Sequence, residues 1–172
     1  MRDLNVLLEE AIDMCYELNI PYRKIVEISY NGRIKSAWGR CIKSYDVASK
    51  DFVFRIEIQK SLGNEIIFPN KDSILSTIIH EIIHTCVDCF DHGEKFQEYS
   101  NAISKRYGIN VLIRSDAETK GANTIAYFST FKYVFVCKKC GAKIGKTRTS
   151  DFVKRCSYYT HRNCGGKFER IK

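Results

Sequence analysis

Apolar residues recur at three- and four-residue steps at the start of the chain, where Leu4, Leu7, Leu8, Ala11, Ile12, Cys15 and Leu18 fall on one helical face. The spacing predicts an amphipathic helix over 3–18, brought to an end by Pro21. Three short segments rich in β-branched and aromatic residues follow: IVEISY (25–30), SAWGRCI (36–42) and FVFRIEI (52–58), separated by the turn-forming NGR and SYDVASKD. They predict three strands, paired antiparallel. A helical period returns with Ile74, Leu75, Ile78, Ile79, Ile82 and Ile83, which predicts a buried helix from about 74 to 89, capped by Asp72 or Ser73. His92-Gly93 breaks that pattern. A further helix over 94–106 stops at Gly108, a residue suited to a left-handed C-terminal cap.

Beyond this point the periodicity fades. Residues 115–131 begin as a polar stretch without a clear period and are expected to be a linker between a main domain over 1–114 and a small module over 132–172. In the module, TFKYVFVCKKCG and RNCGGKFERIK predict two strands around cysteines. Helices segregated from a small sheet make the fold class α+β, and 172 residues suffice for one hydrophobic core with one appendage.

Charge sharpens this division. The formal net charge of +8 is unevenly spread: 132–172 hold 12 Lys or Arg against Asp151 and Glu169, so the module carries +10 and the rest −2. A basic block is either a solvated face or a polyanion-binding one. No apolar run approaches the roughly 18 residues that would span a bilayer. The opening MRDLNVLLEE has acids where a secretory signal needs a basic segment, so a cytoplasmic protein without membrane contact is expected. In a reducing compartment eight cysteines point to metal ligation rather than disulfides wherever they cluster.

The densest chemistry is His80-Glu81-Ile82-Ile83-His84 on the most apolar predicted helix, where a four-residue step sets two imidazoles on one face. A catalytic zinc takes three protein ligands and leaves a position open. His92, eight residues further on and next to Gly93, is the expected third ligand; Glu94, Glu98 and Asp88 are the oxygen-donor alternatives. Glu81 would take a proton from the attacking water and return it to the leaving amine. A buried carboxylate and two histidines incur a desolvation cost that a bound dication would offset. Cys86 and Cys89, although spaced as CVDC, read as small buried residues.

The tail offers a second constellation. Cys137-Lys-Lys-Cys140-Gly141 and His161-Arg-Asn-Cys164-Gly165 repeat one knuckle spacing, which predicts a structural zinc on Cys137, Cys140, His161 and Cys164, with Cys156 as the alternative to His161. So small a module would need its metal to fold. Lys138, Lys139, Lys143, Lys146, Arg148, Lys154 and Arg155 are candidates to neutralise phosphates, and tyrosines to stack on unpaired bases, without sequence preference.

HEIIHTCVDCFDHGEKF resembles the active-site stretch of the SprT-like (Spartan-type) metallopeptidases, and the helix and strand order, AWGRC with Gly39 and Cys41, and the cysteine tail are similar to that family too. The resemblance implies a zincin-like domain followed by a zinc ribbon, with His80, His84 and His92 as zinc ligands and Glu81 as the catalytic glutamate. Family members usually have cysteine where His161 stands. It further implies an endopeptidase that cleaves DNA-associated proteins, including DNA-crosslinked ones. From the two ligand sets, two zinc ions per chain are expected, one catalytic and one structural, and the chain is expected to be a monomer. The rival expectations are a non-catalytic DNA-binding ribbon protein on an inactive zincin scaffold, and a zinc hydrolase of a non-protein substrate.

Overall fold

A computed structural model describes all 172 residues, which form two compact units, Met1–Ala122 and Asn123–Lys172. The first opens with α1 (Leu4–Glu17), whose N-cap Asp3 accepts from the N–H groups of Asn5 and Val6 and which buries Leu4, Leu7, Ala11 and Cys15. Strands β1 (Ile25–Asn31), β2 (Gly39–Asp46) and β3 (Asp51–Gln59) make one sheet in the order β1-β3-β2. The expectation of wholly antiparallel pairing is corrected here, since β2 pairs antiparallel with β3 but β1 pairs parallel with it. Val53, Phe54, Ile56 and Ile58 give β3 the densest apolar set and hence the central place, and the segment 32–38 carries the chain past it. β2 is thereby left as an edge strand.

Helix α2 (Asp72–Ile83) is buried against both α1 and the sheet, with Ile74, Leu75, Ile78, Ile79, Ile82 and Ile83 almost wholly hidden from solvent. It differs from the expected 74–89 helix at both ends. Lys71, not Asp72 or Ser73, occupies the N-cap and makes no side-chain cap. At the other end Thr85 and Cys86 donate their N–H groups to the carbonyls of Ile82 and Ile83, a three-residue closure that tightens and stops the helix, and Asp88 turns left-handed with φ 59°. His84 is therefore the C-cap. Helix α3 (Glu94–Tyr107) ends at Gly108 with φ 72°, as its sequence predicts.

Residues 115–131 are not a single linker. The part up to Ala122 belongs to the first unit, where Ser73 Oγ donates to the Lys120 carbonyl (2.6 Å), and the part from Asn123 belongs to the second. That second unit holds α4 (Thr124–Ser129), a sheet ordered β5-β4-β6 from β4 (Tyr133–Cys137), β5 (Lys143–Lys146) and β6 (Phe168–Arg170), and the single-turn α5 (Asp151–Lys154). Its core is Phe135, Cys137, Val153 and Phe168, with Cys156 packed at the side. The fold is α+β with a ribbon-like module, and no helix is long and apolar enough to cross a membrane.

Candidate metal centres

The last turn of α2 presents His80, Glu81 and His84 toward a cleft of about 590 Å³, and the loop before α3 brings His92 to the same point. Nε2 of His80 lies 3.1 Å from Nε2 of His84 and 3.1 Å from Nε2 of His92. Three nitrogens around a tetrahedral zinc at ~2.0 Å would stand ~3.3 Å apart, so the triangle has close to the right size. The far side of two rings fixes their tautomer. His80 Nδ1 donates to the Leu112 carbonyl (3.1 Å) and His84 Nδ1 to the Cys89 carbonyl (2.6 Å), which leaves both Nε2 lone pairs facing inward.

Neither ring readily takes a second proton. Burial, then the neighbouring His84 and His92, push His80 down to about 3, and burial lowers His84 as well. Lone pairs facing each other at this distance repel unless a cation lies between them, and that is the fit of this donor set to a metal ion. Phe96, fully buried in the first turn of α3, packs against all three imidazoles with centroid distances of 4.8–4.9 Å, T-shaped to His80 and His92 and tilted to His84. The oxygen alternatives Asp88, Glu94 and Glu98 are not in the cluster, which consists of the three histidines alone.

Glu81 is 6% exposed and has no cation in ion-pair contact. Burial pushes its carboxyl up to about 8, against the pull of the Cys41 backbone N–H and of Lys120. Gly39 gives it room: a β-carbon there would come within 2.5 Å of Glu81 Oε1. Cys41 also lines the cleft, but burial and then Glu81 push its thiol up to about 12, so it is no nucleophile. Cys86 and Cys89 are buried, consistent with small core residues.

In the second unit Cys137, Cys140, His161 and Cys164 converge, with all four donor atoms within 4.8 Å of one another. Sγ of Cys137 and Cys164 are 3.5 Å apart, Sγ of Cys140 and Cys164 3.4 Å, and His161 Nδ1 lies 3.1 Å from Cys140 and 3.2 Å from Cys164. These separations suit a tetrahedral cation at ~2.3 Å from sulfur and are far too long for a disulfide at ~2.05 Å. Burial opposes ionisation of Cys137, but the N–H groups of Cys140 and Lys139 and the adjoining thiols outweigh it and bring it down to about 6. Gly166 passes so close to Cys137 Sγ that a β-carbon would sit 2.6 Å away, and its N–H donates to Cys164. Cys156 is outside the four, because the 3₁₀ turn at Cys156–Tyr158 folds it onto the module core.

All seven basic candidates are exposed. Lys138 and Lys139 lie on the first knuckle, Lys143 and Lys146 at the ends of β5, Arg148 in the bend beyond it, and Lys154 and Arg155 at the end of α5. Lys138 is paired with Glu169 at 3.3 Å. Three positions at the site are not evident from the sequence: Phe96, the Leu112 carbonyl and Lys120, which lines the cleft. Only Phe96 left a trace, as an apolar residue four positions after His92 in a polar helix. No family model matches this chain, and no curated protein is significantly similar to it.

Proposed function

We propose that this chain is a zinc-dependent endopeptidase of the zincin type, acting on proteins held on DNA. The observation that carries the reading is the meeting, in one cleft, of three imidazole nitrogens turned inward and a buried carboxylate from the same helix turn. His80, His84 and His92 are the ligands. Zinc bound there would act as a Lewis acid, making water a nucleophile near neutral pH and polarising the scissile carbonyl. Glu81 accepts the proton of the attacking water and passes it to the nitrogen of the breaking C–N bond, so that a carboxylate and an amine leave.

The substrate geometry follows from β2. The Cys41 N–H donates to Glu81, and the Trp38 carbonyl accepts from Gln59, so by strand alternation Gly39, Cys41 and Lys43 turn their backbone groups outward. An extended peptide pairing with that edge would run past Glu81. The second unit, with its own zinc on Cys137, Cys140, His161 and Cys164, concentrates +10 of charge and exposes Tyr158 and Tyr159, features that suit phosphates and unpaired bases. The resemblance to SprT-like enzymes supports the same substrate class.

The test is cleavage of a linker histone by zinc-loaded protein, with and without single- or double-stranded DNA, beside Glu81→Gln. Cleavage lost in the variant while metal content is unchanged is the expected result. Equal behaviour of the two proteins under every condition would sink the proposal.

A further inference from the structure

We infer that Lys120 is a catalytic residue of this cleft, whose ammonium donates a hydrogen bond to the scissile carbonyl oxygen as negative charge builds on it. The inference rests on the peptidase reading above and supplies the group that reading lacks, a partner for the developing oxyanion. Its first support is placement. Lys120 is the last residue of a strap that is fastened to the site at several points: Leu112 accepts from His80, Ser115 accepts from Trp38 Nε1 (2.8 Å), and the Lys120 carbonyl accepts from Ser73. Its Nζ lies 2.8 Å from Ser76 Oγ and 2.8 Å from Thr77 Oγ1. Those hydroxyls donate in turn to the Ser73 carbonyl, at 3.3 and 3.1 Å, so their lone pairs are what the ammonium meets.

Ser76 and Thr77 stand one turn ahead of His80 and Glu81 on the same helix face. The hydroxyls that hold the ammonium are therefore anchored about 6 Å along α2 from the residues of the histidine centre.

The second support is an imbalance. An ammonium has three N–H donors, and the protein engages two of them, both with neutral oxygens. No carboxylate lies within ion-pair distance. Lys120 nevertheless lines the cleft from a largely buried position, where burial drives its pKa down to about 8 and only Glu81 opposes the shift. A strap anchor has no use for such a charge, since a neutral side chain would hold it at lower cost. A fixed, weakly solvated donor at the cleft wall with one N–H unused by the protein is what an oxyanion requires. No proton is transferred; the ammonium keeps its three, and the charge it faces collapses when the C–N bond breaks.

The experiment uses full-length, zinc-loaded protein and the linker-histone assay on wild type, Glu81→Gln, Lys120→Met, Lys120→Arg and Lys120→Ala, the last with propylammonium or with propanol. Lys120→Met is expected to lower kcat by ~10²–10³-fold with KM little changed and metal content intact. Lys120→Arg should recover part of the loss, and propylammonium, but not propanol, should restore Lys120→Ala saturably. A kcat within three-fold of wild type in the Met and Ala variants, or a change confined to KM, overturns the assignment and leaves the peptidase reading in place. A wild type no more active than Glu81→Gln overturns the peptidase reading itself, and this inference with it.

Discussion

Gly39→Ala is the smallest change that should reach the chemistry without touching a ligand. The glycine opens β2, and its backbone is not in the left-handed region, so alanine meets no conformational objection. What it meets is Glu81. The new methyl would lie 2.5 Å from Oε1, 2.8 Å from Cγ and 2.9 Å from Cδ, where ordinary contact needs about 3.4 Å or more. Something must move by roughly 0.5–1 Å, and the buried carboxylate, tied to the Cys41 N–H, is no loose surface chain. Overpacking of this kind costs about 1–3 kcal/mol, and a catalytic group displaced by ~1 Å loses about 10²-fold in rate. Urea unfolding of wild type, Gly39→Ala, Glu81→Ala and the double variant separates the cause: with Glu81 cut back to its β-carbon, the cost of Gly39→Ala should fall close to zero. The same cost in both backgrounds, or histone cleavage by Gly39→Ala within three-fold of wild type, would refute the close-contact argument.

In the second unit, Cys140→Ser should remove one metal ion per chain and the fixed environment of the module's aromatics, whereas Cys156→Ser should change neither; elemental analysis and near-ultraviolet circular dichroism report the two. Lys120 predicts a pH effect whose sign is set by its depressed pKa. Between about 8 and the ordinary lysine value of 10.5 the unfolded chain binds the proton and the folded one does not, so wild-type stability rises with pH across that window by as much as about 2–3 kcal/mol, while Lys120→Met lacks the rise. Parallel stability curves for the two proteins from pH 7.5 to 10 would contradict the burial of that charge.

The convergence on His80, His84 and His92 was legible because its information is local. Two imidazoles four residues apart on an apolar helix, and a third beside a glycine, need no long-range contact to be recognised. The same holds for the two knuckles of the ribbon, including His161 over Cys156, since the repeat of spacing and glycine is itself the signal. What stayed hidden depends on residues distant in sequence. The parallel pairing of β1 with β3 follows from a competition among strands for the central place, which no strand announces alone. Leu112 contributes a carbonyl, which has no side-chain signature, and Lys120 sits in a polar stretch whose composition reads as linker until Ser73, Ser76 and Thr77 are seen beneath it. The end of α2 at Ile83 was missed for a related reason: CVDC continues a tolerable helical pattern, and only the closure by Thr85 and Cys86 stops it.

That early stop makes the first centre possible. Were α2 to run on to Cys89, the Cys89 carbonyl would point along the helix axis away from His84 and could not turn back to accept from His84 Nδ1, and the ring would lose the bond that fixes its tautomer. The two centres then follow one rule with opposite outcomes. In each, the backbone takes up what a metal would not use: carbonyls occupy the outer nitrogens of His80 and His84 in the first, and N–H groups from Lys139, Cys140 and Gly166 reach the sulfurs of Cys137 and Cys164 in the second. Three neutral imidazoles leave a dication its full charge, with a cleft of about 590 Å³ in front of it and one carboxylate beside it. Three thiolates and an imidazole would turn the same dication into a closed unit of about −1, with no electrophilic character left. On the proposed reading the chemistry would therefore belong to the histidine centre and the structural role to the cysteine centre, a division that the donor sets favour before any substrate is considered.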